Sequence, residues 1–224
     1  VWPVLIYVAA LIYIWKIDLE KKIIDDDIEF DYLIIATGRR HRLLNLDNED
    51  KLLGRGISTC ALCDGSFYKD KEVIVVGGGS SALTESLYLA GICKKVTIIH
   101  RSEKFRGDQP LIDDISSKKN IKCVYTSNIP EYNIENGKLT SILLDNNSQI
   151  DIAGLFISIG SVPSADAFDV EKDKGFIIVN KDCMTNIDNV YACGDVIKKD
   201  VYQLTTAASE GTIVAYSIIK KNKK

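Results

Sequence analysis

The chain has 224 residues, 46% hydrophobic and 26% charged, enough to bury one large core or two modest ones. Its formal net charge is -3 with both signs spread along the chain, which argues against a nucleic-acid surface; the one basic run, Lys220, Lys221, Lys223 and Lys224, reads as a solvated terminus. Six cysteines are too few for a disulfide scaffold at this length, and the pattern fits a reducing compartment such as the cytoplasm.

Residues 1–15 carry no charge. They fall short of the roughly 20 apolar residues that a membrane-spanning helix needs, and no basic segment precedes them as in a signal peptide. A buried strand or helix is expected there, with a hydrophobic anchor as the alternative. The chain opens on Val1 and its one methionine is Met184, so the sequence is expected to be part of a longer translated chain.

The apolar, β-branched run at 32–36 stops at Thr37-Gly38 and predicts a strand buried on both faces. Residues 39–56 are polar and irregular and are expected to hold a domain boundary. A second buried strand is predicted at 71–76. It runs into Gly77-Gly78-Gly79-Ser80-Ser81-Ala82, then into a helical spacing of Leu83, Leu87 and Ala90 and a further strand at 95–99. Strand, glycine turn, helix and strand in about thirty residues make a βαβ unit.

Gly77-x-Gly79-x-x-Ala82 in that setting fits a dinucleotide turn. The first glycine permits the tight turn, the second lets a pyrophosphate approach the backbone, and the small third residue lets the helix pack closely. A plain strand-helix turn is the bland alternative. An NAD site usually has a carboxylate at the end of the next strand; here the strand ends His100-Arg101-Ser102, with Arg106 beyond. A guanidinium grips a 2′-phosphate that a carboxylate would repel, so NADPH is favoured over NADH, against two merely solvent-facing arginines.

Further strands and turns are expected over 121–159, with Asn136-Gly137 and Asp145-Asn146-Asn147-Ser148 as turn chemistry. Gly160 and Pro163 mark a second boundary. An apolar run at 175–179, the segment 190–195 and a final helix over 205–219 complete the chain.

Cys60-Ala61-Leu62-Cys63-Asp64 is the one place where two cysteines share a motif. Such a pair can close a disulfide across one turn, and a helix start lowers the thiolate pKa. Zinc would need a second pair, and neither His41 nor His100 has partner spacing. Cys93, Cys123, Cys183 and Cys193 stand apart and are expected to pack as small hydrophobes. Asp64 could act as an acid for a leaving thiol or cap the helix that follows; the spacing leaves both open.

In order and spacing these motifs resemble the low-molecular-weight thioredoxin reductases, a family of flavoproteins. The residues that carry the resemblance are Cys60-Ala61-Leu62-Cys63-Asp64-Gly65, Phe67-Tyr68, the Gly77 turn and His100-Arg101 with Phe105-Arg106. Ala36-Thr37-Gly38 is similar to the family segment that crosses the FAD. The stretch 189–196, with Gly194-Asp195-Val196, resembles the second flavin motif, and Gln203-Leu204-Thr205 with Gly211 the helix start facing the flavin ring. The resemblance runs from about Ile12 to the C-terminus; residues 1–11 do not share it.

The resemblance implies an α/β protein of two Rossmann-like nucleotide-binding domains. Residues 47–161 would form the NADPH domain, with Gly77, Gly79, Ser80, Ser81, Ala82, His100, Arg101 and Arg106 as its contacts. It would be inserted within an FAD domain of residues 1–46 and 162–224, with Thr37, Gly38, Gly194, Asp195, Val196, Gln203, Leu204 and Thr205 toward the flavin. NADPH would reduce FAD, and FAD the Cys60–Cys63 disulfide. Cys63 would meet the flavin, Cys60 would attack a thioredoxin-like partner, and Asp64 would be the general acid. A cytoplasmic homodimer with no membrane contact is implied.

Three departures stand out. No G-x-G-x-x-G precedes Ala36, so the chain is expected to lack the family's first flavin segment and to bind FAD poorly alone. Ser102 stands where a second arginine is usual. Tyr202 replaces an arginine, and Ser209 a glycine, near the flavin. Two other readings share much of the pattern: the reductase component of a peroxide-reducing system, and a flavin-free NADPH-binding remnant.

Overall fold

The computed structural model describes residues 30–223; the expectation for residues 1–15 lies outside them. The chain divides into two compact units, one of Val1–Arg40 with Val162–Lys224 and one of His41–Ser161. The described chain opens with β1 (Leu33–Ile35) and β2 (Arg39–His41), then α1 (Glu49–Leu52) and β3 (Ile57–Ser58). The one-turn helix α2 (Ala61–Asp64) leads to β4 (Glu72–Val76), α3 (Ser80–Ala90), β5 (Lys95–Ile99), α4 (Gln109–Ser117) and β6 (Ile121–Val124). Strands β7 (Glu131–Glu135), β8 (Lys138–Leu143), β9 (Gln149–Asp151) and β10 (Gly154–Ile157) complete that unit.

Its main sheet is parallel in the order β3-β10-β4-β5-β6. Central β4 is buried from Val73 to Val76, as expected of a parallel strand covered on both faces. The two-residue alternation sorts its side chains between two cores. Val73 and Val75 join Val96, Ile98, Phe156 and the helix residues Ala82, Leu83 and Ile115. Ile74 and Val76 join Ile99, Leu155 and Ile157, together with Tyr132, Leu139 and Ile142 of the antiparallel β7-β8-β9 sheet. The turn between β7 and β8 is Asn136-Gly137, both at positive φ, so the turn chemistry lies at a hairpin.

Helix α3 begins three residues earlier than its apolar spacing suggested, because Gly79 stands at the N-cap and Ser80–Ala82 form the first turn. The first break between the units falls at Arg40/His41, ahead of residue 46. The cause is Glu49, 3% exposed. Its carboxylate accepts hydrogen bonds from the amides of Leu44, Asn45 and Leu46 and from the Tyr132 hydroxyl, which fastens the polar segment to the His41–Ser161 unit.

After β11 (Ser161–Pro163), the other unit contains β12 (Lys172–Asp173), β13 (Phe176–Ile177), β14 (Val190–Ala192) and α5 (Leu204–Asn222). β1 and β14 pair in parallel, Leu33 opposite Val190. Their core holds Ile35, Ala165, Ile177, Val190, Ala192 and Val196, with Val214 of α5 packed beside Tyr191, Cys183 and Cys193. The strand at β1 is shorter and less covered than its sequence suggested: Ile35 is buried, Leu33 and Ile34 only half so. The run 175–179 yields only the two residues of β13. No helix among the described residues is long and apolar enough to cross a membrane.

Candidate active site

Ser58 ends β3 in register with Phe156 of β10, so the sheet fixes where the next turn starts. Cys60 then caps α2 in extended conformation, and one helical turn brings its Cα within 5.3 Å of that of Cys63. The two sulfurs are bonded. Buried Ala61 anchors the turn, Cys60 is half-buried and Cys63 is exposed. The Cys63 amide donates to Cys60 Sγ at 3.2 Å. An amide at a helix start has no partner within the helix, and the same donor would stabilise a thiolate on Cys60 after reduction.

The Asp64 amide donates to the Cys60 carbonyl, and its carboxylate accepts from Ser58 Oγ at 2.7 Å. Asp64 occupies the cap position of the 3-10 turn Gly65–Tyr68, yet its side chain makes no capping bond there. Burial and, after it, the Asp64 charge push the Tyr68 phenol above its ordinary value. The turn sits tightly on α3: a Cβ on Gly65 would lie 3.1 Å from Leu89 and Tyr88.

The glycine turn after β4 separates three roles. A Cβ on Gly77 would stand 2.3 Å from the Ser158 carbonyl and 2.7 Å from Ala82 Cβ, and one on Gly78 would strike the His100 ring at 2.4 Å. Around Gly79 there is open space, at the start of an eleven-residue helix with no acidic residue in its first turn. Packed on one side and open at the helix start, this cradle fits a pyrophosphate. Ser80 exchanges hydrogen bonds with Asp108, Oγ to Oδ2 at 3.0 Å, while Ser81 is exposed and Ala82 buried. His100 is 3% exposed. Its Nε2 lies 3.0 Å from the Lys104 carbonyl, and burial holds its pKa below the ordinary histidine value. Arg101 and Arg106 flank it, exposed to solvent.

In the other unit, the parallel pairing of β1 with β14 brings Thr37-Gly38 and Gly194-Asp195 to the same strand ends, tied by the Cys193 amide to the Ile35 carbonyl. Thr37 donates to the Ser164 carbonyl at 2.6 Å, and the space around Gly38 is open. Gly194–Val196 form a short 3-10 turn. Its Gly194 amide donates to Glu210 Oε2 at 2.8 Å. Lys199 Nζ reaches Glu210 Oε2 at 2.9 Å and Asp195 Oδ1 at 3.4 Å. Helix α5 starts with a capping box between Gln203 and Thr206, with Leu204 and Thr205 exposed beside it. Tyr202 takes two cations on its ring, Arg39 at 4.7 Å and Lys199 at 5.6 Å from the centroid. Open glycine corners, an uncrowded helix start and the Asp195 carboxylate make a lining that a flavin nucleotide would fit.

Sequence reasoning did not single out Ser58, Glu49, Lys199 or Glu210. Ser58 lies only two residues ahead of Cys60, and a hydroxyl beside the pair was the available signal. Glu210 acts across sixteen residues on Gly194, with no local pattern. The remaining cysteines are free: Cys93, Cys183 and Cys193 are buried and Cys123 half-buried. Burial raises their pKa, that of Cys193 to about 11, which keeps these thiols protonated and unreactive. Among the described residues no group of three or more His, Cys, Asp or Glu is placed to hold a metal ion.

The sequence matches the family described as pyridine nucleotide-disulphide oxidoreductase over residues 7–211. That match opens ahead of Ile12 and so takes in residues 7–11, which had been set apart from the resemblance. A thioredoxin reductase of Listeria monocytogenes is 37% identical over 196 residues, covering 84% of this chain and 61% of that protein. The chain thus spans about three fifths of the length of that relative. One from Rickettsia prowazekii is 32% identical and covers 93% of this chain and 73% of its own. The crystal structure of Lactococcus lactis thioredoxin reductase superposes with a TM-score of 0.73 at 33% identity, over 88% of this chain and 68% of that one.

Proposed function

Since the chain belongs to the pyridine nucleotide-disulphide oxidoreductase family, within the branch of the thioredoxin reductases, we propose that it carries the disulfide-exchange and NADPH-binding parts of a thioredoxin-disulfide reductase. The observation that carries this reading is the Cys63 amide aimed at Cys60 Sγ within a closed Cys60–Cys63 bond. The His41–Ser161 unit is the NADPH domain, and the other unit is the FAD domain.

Gly77, Gly79, Ser80, Ser81 and Ala82 would hold the NADPH pyrophosphate, and Arg101 and Arg106, beside His100, its 2′-phosphate. Thr37, Gly38, Gly194, Asp195, Val196, Gln203, Leu204 and Thr205 would hold the FAD. When bound, the two cofactors supply the electron pair that opens the Cys60–Cys63 bond. The chain's own residues do the rest. The Cys60 thiolate attacks one sulfur of the partner's disulfide, so a Cys60–partner bond forms as the partner's S–S bond breaks. The departing partner thiolate takes a proton, for which Asp64 is the donor. The Cys63 thiolate then attacks Cys60 Sγ, re-forming the internal disulfide and releasing the second partner thiolate, which is protonated in turn. The partner is a thioredoxin-like protein, and the assembly is a homodimer in the cytoplasm, the reducing compartment its lone cysteines suit.

The test needs no flavin. The chain is reduced with dithiothreitol, freed of excess reagent and mixed with oxidised thioredoxin. One thioredoxin should be reduced per chain. Cys63→Ser should instead trap a mixed disulfide through Cys60, and Cys60→Ser should trap none. A trapped species of equal yield in the Cys60→Ser variant would overturn the assignment of the attacking thiol. No transfer from the wild-type dithiol would overturn the function.

A further inference from the structure

Ser58 is buried, 4% exposed, and its hydroxyl stands within hydrogen-bonding reach of three atoms of the redox turn. It lies 2.7 Å from Asp64 Oδ2, 3.0 Å from the Cys60 amide nitrogen and 3.3 Å from the Cys60 carbonyl oxygen. A hydroxyl has one hydrogen to give and two lone pairs to accept with. The Cys60 amide occupies one lone pair. The hydrogen can go to Asp64 or to the Cys60 carbonyl, and while Asp64 is ionised the shorter, charge-assisted bond wins.

The set remains satisfied when Asp64 carries a proton. The carboxylic acid then donates to the second lone pair of Ser58 Oγ, and the Ser58 hydrogen turns to the Cys60 carbonyl. Both protonation states of the carboxyl therefore keep a hydrogen bond to the same oxygen. The backbone that carries that oxygen is held in the parallel pairing of β3 with β10, and the Cys60 amide holds the oxygen itself. A carboxyl that must lose a proton and regain it each cycle needs such a partner; a pure donor would favour the anion alone.

We propose that Ser58 is a positioning residue, which holds the Asp64 carboxyl and the Cys60 backbone in one frame through both protonation states of the acid. The inference rests on Asp64 being the proton donor to the leaving thiol. The Tyr68 phenol, raised in part by the same carboxylate, is the titratable group beside it. Lys71 Nζ stands over the Tyr68 ring at 5.9 Å. Glu85, the one charged side chain of α3, is engaged with Ser158.

The experiment compares two oxidants with the dithiol form of the 224-residue chain. Oxidised thioredoxin releases an alkyl thiolate that needs a proton, whereas 5,5′-dithiobis(2-nitrobenzoate) releases an aromatic thiolate that needs none. Ser58→Ala is expected to slow thioredoxin reduction about tenfold and to leave the aromatic disulfide within about twofold of wild type. Asp64→Asn is expected to slow the thioredoxin reaction more, and Ser58→Ala added to Asp64→Asn to cost nothing further. Equal slowing of both oxidants by Ser58→Ala, or full additivity with Asp64→Asn, would reduce Ser58 to a structural residue and overturn the proposal. If Asp64→Asn leaves thioredoxin reduction at the wild-type rate, the acid assignment itself falls, and the Ser58 role with it. A Ser58→Ala chain that fails the aromatic control altogether is replaced by Ser58→Gly in the same comparison.

Discussion

The two glycine turns of this chain are built on opposite principles. The one after β4 is shaped by packing: Gly77 and Gly78 are pressed against Ser158, Ala82 and His100, and only Gly79 faces open space. The one after β14 is shaped by side-chain charge. Gly194 has nothing nearer to its absent Cβ than Ala207 at 3.9 Å, and the turn is fastened instead by Glu210 and Lys199. A packed turn fails when volume is added; a tethered turn fails when a charge is removed. The difference says which substitutions each site tolerates.

The largest effect is expected at Gly77. Its φ of +151° lies where L side chains rarely sit, and the atom a Cβ would meet first is backbone, the Ser158 carbonyl. Neither can yield without separating β4 from the chain after β10. Gly77→Ala should cost about 2–4 kcal/mol of local stability, read as faster hydrogen exchange of the β4 amides, and abolish NADPH binding measured by calorimetry. Gly194→Ala, strained by its φ of +78° but unobstructed, should cost less. Equal losses at the two glycines would break the comparison.

The tethered turn is probed at Glu210. Glu210→Ala leaves Lys199 largely buried with Asp195 as its one remaining carboxylate and the Tyr202 ring beside it, and removes the acceptor of the Gly194 amide. With side-chain exposures of 11% for Lys199 and 15% for Glu210, the pair is shielded enough for the loss to be felt. About 1–3 kcal/mol is expected, visible as faster exchange of the Gly194 amide. Glu210→Gln keeps an acceptor and should recover roughly half of it. Exchange at Gly77 should not move in either variant, and if it does, the two turns do not fail independently.

The same contrast explains what could be read from the sequence. A packed turn writes itself into local composition, since glycines and a small residue must follow a buried strand, and Gly77, Gly79 and Ala82 are where that rule places them. The βαβ unit was legible for the same reason: Val73 to Val76 and Val96 to Ile99 are buried runs, joined by a short helical crossover that makes them parallel neighbours. The redox pair was legible because two cysteines one helical turn apart have few other uses. Tethers leave no such trace. Glu210 sits one turn and more into α5 among residues that read as an ordinary helix, and its partner Gly194 belongs to another element. Glu49 reads as one acidic residue in a polar loop, and part of what holds it buried is Tyr132, eighty-three residues on. Ser58 is intermediate. It is close to Cys60 in sequence, but its meaning depends on the pairing with β10 that aims its hydroxyl.

The smallest effect sharpens the NADPH assignment itself. His100 is kept neutral mainly by burial, with smaller contributions of the same sign from the positive charges of Arg106 and Arg101, and the Lys104 carbonyl acting the other way. With the folded pKa below the unfolded value of about 6.5, the unfolded chain binds the extra proton first as pH falls. The stability contributed by neutral His100 is therefore present above pH of about 6.5 and is lost as the pH drops through the folded pKa. A 2′-phosphate gripped by the two arginines would offset their positive charge, while the effect of burial remains. Adenosine 2′,5′-bisphosphate should raise the His100 pKa in an NMR titration, and 5′-AMP should raise it by less. An equal response to both nucleotides would mean that the arginines answer to the 5′-phosphate alone, and the preference for NADPH over NADH would lose its physical basis in this chain.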